Sequence, residues 1–448
     1  MKITLPDKVK FIIDTITAAG FEAFAVGGCI RDSILGRNPA DWDITTSAKP
    51  EEVKSLFART IDTGIAHGTV TVLLDKEGFE VTTYRIDGEY EDSRHPKEVI
   101  FTPNLIEDLK RRDFTINAMA YNETAGLVDA FDGMGDIDRG VIKCVGNPME
   151  RFTEDALRIM RAIRFSAQLG YEIEEETCAA IATLAPNLRN ISAERIQVEL
   201  TKLMVSPHPD YLKKAYDTGV TKVFLPEFDT CMETSQVHKH HMYDVGTHTL
   251  VTLTHTPADK YLRLAALFHD IGKPQTKTVD ADGITHFKGH QKVSAGIAKD
   301  VLRRLRYDND TIHIVSRLVE HHDYGNGVTP NNRIVRRAIH KIGEDIFASL
   351  LQLRRADVLA QSEYKREEKL ALLEQWGECY RDILERNQCV SLKTLAVTGS
   401  DLIAEGMKPG KEIGEVLHAL LEHVLDNPED NTKEILIAYF HANLHKIG

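Results

Sequence analysis

The feature that most constrains the fold is a change of sequence pattern about a third of the way along the chain. Runs rich in β-branched and aromatic residues, which are typical of strands, occur at Phe21–Val26, Thr69–Leu74 and Phe79–Tyr84. After Thr153 such runs nearly vanish, and apolar residues recur with the period of a helix almost to the end. The sequence therefore predicts an α/β head followed by an all-helical remainder. The helices predicted in the head are Pro6–Ala18, Ile30–Leu35 and Pro50–Ala58.

Length and composition restrict the class of protein. A chain of 448 residues is too long for one ordinary core, so about two to four domains are expected. No apolar run approaches the length of a membrane-spanning helix, and the N-terminus lacks the apolar block of a signal peptide. The six cysteines show no C-x-x-C spacing, which argues against a disulfide framework or a cysteine zinc site. We therefore expect a cytoplasmic protein with no membrane partner.

The net charge of −13 limits how the chain can contact a nucleic acid. Proteins that bind long stretches of phosphate backbone are usually basic, at least locally. The negative net charge of this chain gives no overall attraction to a nucleic acid, so any such contact has to come from local basic clusters. Taken alone, the acidic composition is most simply explained as a feature that keeps the protein soluble.

A glycine pair marks a candidate phosphate site in the head. Gly27 and Gly28 follow an apolar strand and open a helix, and Arg31 lies one turn later. Glycine lets the backbone approach a polyphosphate, helix amides point at it, and a guanidinium adds further donors. Alone, a Gly-Gly pair is also common in structural turns.

The segment DWDITT supplies two candidate catalytic carboxylates. If it is a strand, Asp41 and Asp43 project from the same face, and their mutual repulsion favours a cation between them. Mg²⁺ prefers such oxygen ligands, and two ions can activate a hydroxyl and stabilise a leaving phosphate. The alternative is an acidic surface turn. Glu80 is either a third carboxylate facing the metals or an exposed strand residue, and the sequence does not decide.

A predicted helix over Glu154–Phe165 presents charged groups opposite an apolar stripe. The stripe has helical spacing and consists of Ala156, Ile159, Met160 and Ile163. On the other face, carboxylates and guanidiniums together suit the polar edge of a base that carries an exocyclic amino group, as cytosine and adenine do. The alternative is a salt-bridge face between Glu154 and Arg158. The charged residues are Glu154, Asp155, Arg158, Arg161 and Arg164.

Five motifs in this order resemble the bacterial-type (class II) tRNA nucleotidyltransferases, the CCA-adding enzymes. They are GGCIRD, DWDITT, DGEYEDSRHP, EDLKRRDFTINAMAY and EDALRIMRAIRF, and the resemblance is dense over residues 20–170. That family has a polymerase-β-like nucleotidyltransferase head and shares motifs with bacterial poly(A) polymerases. The resemblance implies addition of CCA to the 3′ end of tRNA from CTP and ATP without a template.

The resemblance also implies residue roles. Asp41 and Asp43 would bind two catalytic Mg²⁺ ions, Gly28 and Arg31 would hold the triphosphate, and Arg112 would contact the nucleotide. Asp155 and Arg158 would pair with the base, and Arg161 and Arg164 would support the nucleotide and its phosphates. Arg111 and Asp113 would support local geometry.

Two alternatives concern what is added. The loop Asp87–Pro96 has its full length, whereas members that add only CC tend to have it shortened; this favours addition of the terminal adenosine without excluding an enzyme that adds only A. A poly(A) polymerase shares the head motifs, but the basic extension usual in that family is missing. A third hypothesis, hydrolysis as the main activity, conflicts with the intact head motifs.

The C-terminal half resembles the HD phosphohydrolase superfamily in the order of its ligands. These are His248, His269 with Asp270, and Asp357, and His290 and His321–His322 lie where some members hold further ligands. Imidazoles and carboxylates in a helical bundle suit a divalent transition metal with an open position for water. The resemblance implies phosphodiesterase or phosphatase activity, although such domains can keep ligands without turnover.

These patterns predict four domains. A nucleotidyltransferase head covers residues 1–145, and a helical neck that reads nucleotides and binds RNA covers 146–240. An HD domain covers 241–362, and a helical tail covers 363–448. The oligomeric state carries no sequence signal.

Overall fold

The computed structural model describes residues 2–88 and 99–444, which fall into two compact units, Met1–Asp229 and Thr230–Gly448. The first unit contains a seven-stranded mixed sheet, and the second is almost entirely helical. The predicted α/β head with a helical remainder is confirmed. Among the described residues, no helix combines the length and apolar character needed to span a membrane. The predicted specificity loop Asp87–Pro96, apart from its first two residues, lies outside the described residues.

The strands of the first unit alternate with short helices. The strands are β1 (Ala23–Val26), β2 (Asp43–Thr46), β3 (Thr60–Gly64), β4 (Thr69–Leu74), β5 (Glu77–Thr83), β6 (Arg85–Asp87), β7 (Val99–Phe101), β8 (Met119–Asn122), β9 (Gly126–Asp129), β10 (Val141–Ile142) and β11 (Glu172–Ile173). The helices are α1 (Asp7–Ala18), α2 (Gly28–Ile34), α3 (Pro50–Leu56), α4 (Leu105–Lys110), α5 (Gly133–Arg139), α6 (Pro148–Glu154), α7 (Leu157–Leu169), α8 (Glu175–Leu184), α9 (Ala193–Met204), α10 (Leu212–Asp217) and α11 (Thr221–Phe224). Helix α12 (Pro226–Met232) spans the boundary between the units.

The central sheet has the strand order β3-β4-β5-β2-β1-β8-β9. Strands β2 and β5 are parallel and the other neighbours are antiparallel. All four residues of β1 are buried, as expected for a central strand covered on both faces. Helix α1 buries Val9, Ile12, Ile13 and Ile16, which share one face at helical spacing. This packing holds the ends of β1 and β2 next to each other.

The predicted helix over Glu154–Phe165 is wrong at its start. Helix α6 ends at Glu154, Asp155 is extended (φ −138°, ψ 102°), and α7 begins at Leu157. The carboxylate of Asp155 accepts a hydrogen bond from the backbone N–H of Leu157 at 3.0 Å, so the aspartate caps the new helix. The predicted apolar stripe is confirmed, because Ala156, Ile159, Met160 and Ile163 are all buried.

The second unit is a helical assembly with one short hairpin, β12 (Thr278–Val279) and β13 (Thr285–His286). Its helices are α13 (Val245–His255), α14 (Lys260–Phe268), α15 (Lys273–Thr276), α16 (His290–Arg304), α17 (Asn309–His321), α18 (Asn332–Ile342), α19 (Glu344–Ala360), α20 (Arg366–Glu385), α21 (Gly399–Ala404), α22 (Lys411–Asp426) and α23 (Lys433–Tyr439). Helices α13, α14, α16, α17 and α19 pack against one another. All six cysteines of the chain are free thiols.

Candidate functional site

The first unit contains a polar pocket of about 410 Å³. Six arginines and three aspartates are among the fourteen residues of its lining, so its charge suits a polyanionic ligand. The lining residues are Gly27, Gly28, Arg31, Asp43, Arg111, Arg112, Asp113, Asn117, Asp155, Leu157, Arg158, Arg161, Phe165 and Arg195.

The turn between β1 and α2 requires glycine. Gly27 has a φ of +87°, a conformation that residues with a side chain rarely adopt. A Cβ atom at Gly27 would also lie only 3.2 Å from Nη1 of Arg112. Glycine at this position therefore brings the backbone and an arginine side chain together on one wall of the pocket.

Arg31 is held in a single orientation by its neighbours. Its Nη1 donates to Oδ1 of Asn117 at 2.6 Å, and its Nε donates to Oδ1 of Asp32 at 2.9 Å. Its Cζ atom lies 5.0 Å from the ring centre of Phe165. The side chain is buried, so its charge is fixed in the pocket wall before any ligand binds.

The two carboxylates of DWDITT lie at the start of β2. The strand begins at Asp43, which pairs with Val26 of β1, and Asp41 precedes it. Both are exposed. Although Asp43 is open to solvent on one side, desolvation by the surrounding protein atoms raises its pKa, the charge of Arg112 lowers it, and the like charge of Asp41 raises it again. A cation bound between the two carboxylates would relieve this repulsion, so the oxygen donors present here fit Mg²⁺.

The sheet register brings Glu80 next to Asp43. Ile44 of β2 pairs with Val81 of β5 in parallel orientation. One residue earlier on each strand, Asp43 and Glu80 therefore share one face of the sheet. Glu80 is exposed, and this register is the observation that favours its grouping with the carboxylate pair.

Asp155 and Arg158 line the pocket, and hydrogen bonds to residues distant in the chain hold their side chains there. Oδ2 of Asp155 accepts a hydrogen bond from Nη2 of Arg195 on α9 at 2.8 Å. Nη1 of Arg158 lies 2.7 Å from Oε2 of Glu154, and its Nη2 donates to the carbonyl oxygen of Arg111 at 2.8 Å. The predicted Glu154–Arg158 ion pair is thus present, and Arg158 also lines the pocket.

Arg161 and Arg164 have different environments although they are one helical turn apart. Nε of Arg161 donates to Oδ2 of Asp113 at 2.7 Å at the pocket wall. Burial tends to raise the pKa of Asp113, but the charges of Arg161 and Arg158 lower it to about 2. Arg164 is buried, pairs with Glu199 at 2.8 Å and does not line the pocket. Its Cζ atom lies 3.5 Å from the ring centre of Phe165, so it supports the pocket wall.

The second unit brings together three of the predicted ligands, His248, His269 and Asp357. Nε2 of His248 lies 2.9 Å from Oδ1 of Asp357 and 3.3 Å from Nε2 of His269. One donor atom from each of the three residues lies within 4.8 Å of the others, as binding of a single metal ion requires.

Asp270 belongs to a second group with His290 and His322. Its Oδ1 lies 3.2 Å from Nε2 of His290, and its Oδ2 lies 3.3 Å from Nε2 of His269. Asp270 therefore stands between the two groups. The six residues together are called the histidine–aspartate cluster below. His321, predicted beside His322, is outside both groups.

The histidine rings are oriented for metal binding. Nδ1 of His269 donates to the carbonyl oxygen of Ala266 at 2.7 Å, and His290 and His322 make the same kind of bond to Phe287 and Val319. Each bond fixes the ring and leaves Nε2 facing the cluster. Burial raises the pKa of Asp270, but the charges of His269 and Lys273 hold it well below its usual value.

Comparisons with known proteins bear on both units. Residues 23–143 match the family described as "Poly A polymerase head domain", and residues 170–232 match "Probable RNA and SrmB- binding site of polymerase A". Residues 281–440 match "tRNA nucleotidyltransferase domain 2 putative". The chain is 36% identical to a CCA-adding enzyme of Levilactobacillus brevis over 97% of this chain and 98% of that protein. The chain belongs to the CCA-adding enzyme family. An enzyme of this name from Enterococcus faecalis is 34% identical over 98% of this chain and 97% of its own length.

Solved structures of CCA-adding enzymes have the same fold. The crystal structure of the Bacillus stearothermophilus CCA-adding enzyme in complex with CTP is 28% identical, with a TM-score of 0.70 and coverage of 97% of each chain. The Thermotoga maritima CCA-adding enzyme complexed with tRNA shares the fold at 19% identity, with a TM-score of 0.61 and coverage of 99% of this chain and 100% of that chain. None of the three family descriptions names an HD domain, so that assignment stays a prediction.

The sequence assigned no role to two residues that complete the pocket of this CCA-adding enzyme family member, although Asn117 lies within the motif EDLKRRDFTINAMAY. Asn117 lies in the segment FTINA and accepts a hydrogen bond from Arg31, and Arg195 pairs with Asp155 from 40 residues away. Both are ordinary polar residues in their local segments. Only the tertiary fold shows that they orient predicted site residues.

Proposed function

We propose that this chain adds CCA to the 3′ end of tRNA from CTP and ATP without a template. The observation that carries the proposal is a single pocket that combines Asp43, the Gly27–Gly28 turn and the charged pair Asp155 and Arg158. Relatives called CCA-adding enzymes match the chain over almost its whole length. The free thiols support a reducing, cytoplasmic setting.

In this proposal Asp41 and Asp43 hold Mg²⁺, and the sheet register groups Glu80 with them. The bound metal supplies activation of the 3′-hydroxyl and stabilisation of the leaving pyrophosphate. The carboxylates fix where that chemistry takes place, because β2 is held in the centre of the sheet by β1 and β5.

The triphosphate is bound by fixed cations on the pocket wall. Gly28, at the start of α2, is partly exposed and lacks a side chain, so a phosphate can approach the backbone there. Arg31 is locked by Asn117 and Asp32, and Arg112 lies against the glycine turn. These groups need little reorganisation when the nucleotide binds, which favours tight positioning of the reacting phosphate.

The base is recognised by Asp155 and Arg158. A carboxylate accepts a hydrogen bond from the amino group that cytosine and adenine both carry, and a guanidinium donates to the neighbouring acceptors of the ring. Arg195 orients Asp155 at 2.8 Å, and Arg161 is held by Asp113. Arg164 supports this wall from behind through Phe165 and Glu199.

Nucleotide addition to defined RNA ends tests the function. The substrates are tRNA lacking its terminus, tRNA ending in CC, and an unrelated RNA, each incubated with labelled CTP or ATP in Mg²⁺ buffer. A CCA-adding enzyme incorporates two cytidines and then one adenosine. Adenosine addition to the CC end alone would indicate an A-adding enzyme, and long adenosine tails on the unrelated RNA would indicate a poly(A) polymerase.

Substitution of Asp155 or Arg158 by alanine is expected to loosen base selection more than it weakens triphosphate binding. Each change removes one side of the base-pairing edge and leaves Arg31 and Arg112 in place. The measurement is the ratio of UTP and GTP incorporation to that of CTP and ATP, which we expect to rise by about tenfold or more for the loss of a good base contact. Glu150→Ala, which removes an exposed carboxylate on α6, is the control. An unchanged ratio with equally slowed rates would mean that the pair is structural.

We also propose a second activity, metal-dependent hydrolysis of phosphoesters at the histidine–aspartate cluster. Imidazole-rich donor sets favour ions such as Mn²⁺, Co²⁺ or Ni²⁺ over Mg²⁺. The convergent Nε2 atoms and their backbone-fixed rings support metal binding. A bound ion would supply a water of lowered pKa as the nucleophile. The surrounding cavity of about 720 Å³ has room for an organic phosphoester.

A further inference from the structure

A buried arginine without a counter-ion lines the cavity next to the histidine–aspartate cluster. Arg354 lies on α19, one turn before Asp357, and only 5% of its surface is exposed. Its Nη2 donates to Oδ1 of Asn326 at 3.1 Å. Within the described part of the chain, no carboxylate oxygen comes within 4.0 Å of its guanidinium, and its Nε has no hydrogen-bond partner.

The two carboxylates whose charges act on Arg354, those of Asp357 and Asp323, are already hydrogen-bonded to other groups. Oδ1 of Asp357 is bonded to His248, and both of its oxygens accept from Gln361. Asp323 accepts from Gln291 at 2.8 Å and from the amide of Asn326 at 2.7 Å, so Asn326 separates it from Arg354. Burial lowers the pKa of Arg354 to about 10, and the side chain remains a cation at neutral pH.

A buried charge that lacks a partner is costly, so its persistence points to a ligand. A guanidinium has five N–H donors, of which Asn326 satisfies one. The unused donors of Arg354 border a cavity of about 720 Å³. An anion bound there would complete both its charge balance and its hydrogen bonds.

The arginine is also held ready for such a ligand. Its Cζ lies 5.5 Å from the ring centre of Trp376, which is buried. The indole N–H of Trp376 donates to the carbonyl oxygen of Val328 at 3.2 Å. A Cβ at Gly325 would lie 2.6 Å from this ring, so glycine there makes room for the indole. The ring and Asn326 therefore hold the guanidinium at the cavity wall.

A second cation in the same cavity has only neutral hydrogen-bond partners among the residues that the structure describes. Nζ of Lys369 bonds to Nδ1 of His240 at 3.1 Å and to Oε1 of Gln361. Two other lysines of this wall are paired, Lys273 with Asp270 at 2.7 Å and Lys365 with Glu368 at 3.2 Å, and Lys288 is exposed at its edge. Arg354 and Lys369 thus remain available to a ligand.

We propose that Arg354, assisted by Lys369, forms an anion subsite that binds a phosphate group of the ligand presented to the histidine–aspartate cluster. The identity of that ligand as a phosphoester rests on the hydrolytic activity proposed above. The binding of phosphate itself requires neither metal nor turnover, and it can therefore be measured separately.

Tryptophan fluorescence tests the subsite directly. The chain has two tryptophans, Trp42 and Trp376, so in a Trp42→Phe background the emission comes from Trp376, whose ring centre lies 5.5 Å from Cζ of Arg354. Metal-free protein is titrated with inorganic phosphate, AMP and adenosine. Phosphate and AMP are expected to change the emission saturably, whereas adenosine, which has no charge, is expected to have no effect. Arg354→Met should weaken phosphate binding at least tenfold, and Lys369→Met should weaken it less.

The matched control is Arg336→Met. Arg336 is equally buried in the second unit, but its Nε donates to the carbonyl oxygen of Leu425 at 2.8 Å and its Nη1 to Gln388 at 2.7 Å. This variant should bind phosphate as the parent does and melt at a lower temperature. Arg354→Met should keep or raise the melting temperature, because it removes an unpaired buried charge, and should lose the stabilisation that phosphate gives the parent. Unchanged phosphate binding in Arg354→Met, or no phosphate response in the parent, would overturn the proposal.

Discussion

Replacement of Asp41 or Asp43 by alanine is expected to abolish nucleotide addition to tRNA while the fold stays intact. Both side chains are exposed, so their removal leaves no cavity in the core of the first unit. Each loss strips a negative charge from the place where Mg²⁺ would bind, and rates should fall by several orders of magnitude. The measurement is single-turnover incorporation of labelled CMP into tRNA lacking its terminus, with saturating Mg²⁺.

A control carboxylate on the same sheet makes this test specific. Glu77 begins β5, is exposed, and pairs with Lys8 at 3.1 Å. Because exposed ion pairs contribute little, Glu77→Ala should keep both stability and addition close to those of the parent. Glu80→Ala, next to Asp43 in the sheet register, should lower addition if Glu80 completes the metal site. Near-normal nucleotide addition by Asp41→Ala or Asp43→Ala would contradict the proposal that these aspartates are catalytic.

Strands and helices with strong local patterns were predictable from the sequence. The strand at Thr69–Leu74 has the predicted limits, and the predicted helix Pro6–Ala18 begins one residue later, at Asp7. These segments combine a clear period with nearby turn residues. The predicted strand around DWDITT was only partly correct, because β2 starts at Asp43 and leaves Asp41 before it.

The break at Asp155 could not be predicted from periodicity. The apolar stripe from Ala156 to Ile163 continues with helical spacing, and the aspartate at its start does not interrupt that pattern. At this break the carboxylate of Asp155 pairs with Arg195 of α9 and also accepts the backbone N–H of Leu157 at the start of α7. Local propensity carries no information about a partner 40 residues away.

The charged residues of α7 illustrate the same limit. A helical projection treats Arg161 and Arg164 alike, as members of one polar face. In the structure Arg161 pairs with Asp113 at the pocket, and Arg164 is buried against Glu199. The difference arises from which neighbouring element covers each side chain, and only the packing of α7 against α9 determines this.

In the second unit, motif order predicted which residues meet but not how they are divided. His248, His269 and Asp357 do form one group, whereas Asp270 joins His290 and His322. His269 and Asp270 are consecutive in the motif, and the side chain of each belongs to a different group of ligands. Arg354, three residues before Asp357, belongs to no motif. What distinguishes it is a buried guanidinium without a carboxylate partner among the described residues, which the sequence does not reveal.

The double substitution His269→Ala with Asp270→Ala is expected to remove metal-dependent hydrolysis and leave CTP and ATP addition largely intact. The proposed head chemistry relies on Asp41 and Asp43, which belong to the first compact unit, and the cluster belongs to the second. The two residues supply one ligand to each group of the cluster, so both groups lose a donor. The amount of Mn²⁺, Co²⁺ or Ni²⁺ bound per chain should therefore fall, as measured by elemental analysis after dialysis.

Both activities are assayed on the parent and on the double variant across several divalent ions, with a 2′,3′-cyclic phosphate as one phosphoester. A tRNA end with a 2′,3′-cyclic phosphate has no free 3′-hydroxyl for the head to extend. Hydrolysis of its 3′ P–O bond leaves a 2′-phosphate and a free 3′-hydroxyl, which would prepare the substrate for addition. Because both residues are buried, Asp357→Asn, which keeps the size of the side chain, serves as a milder variant; it should also lose hydrolysis. Hydrolysis that survives the double substitution would place the activity at another site. Failure of the parent to hydrolyse any phosphoester with any ion would contradict the second activity and leave the cluster a structural element.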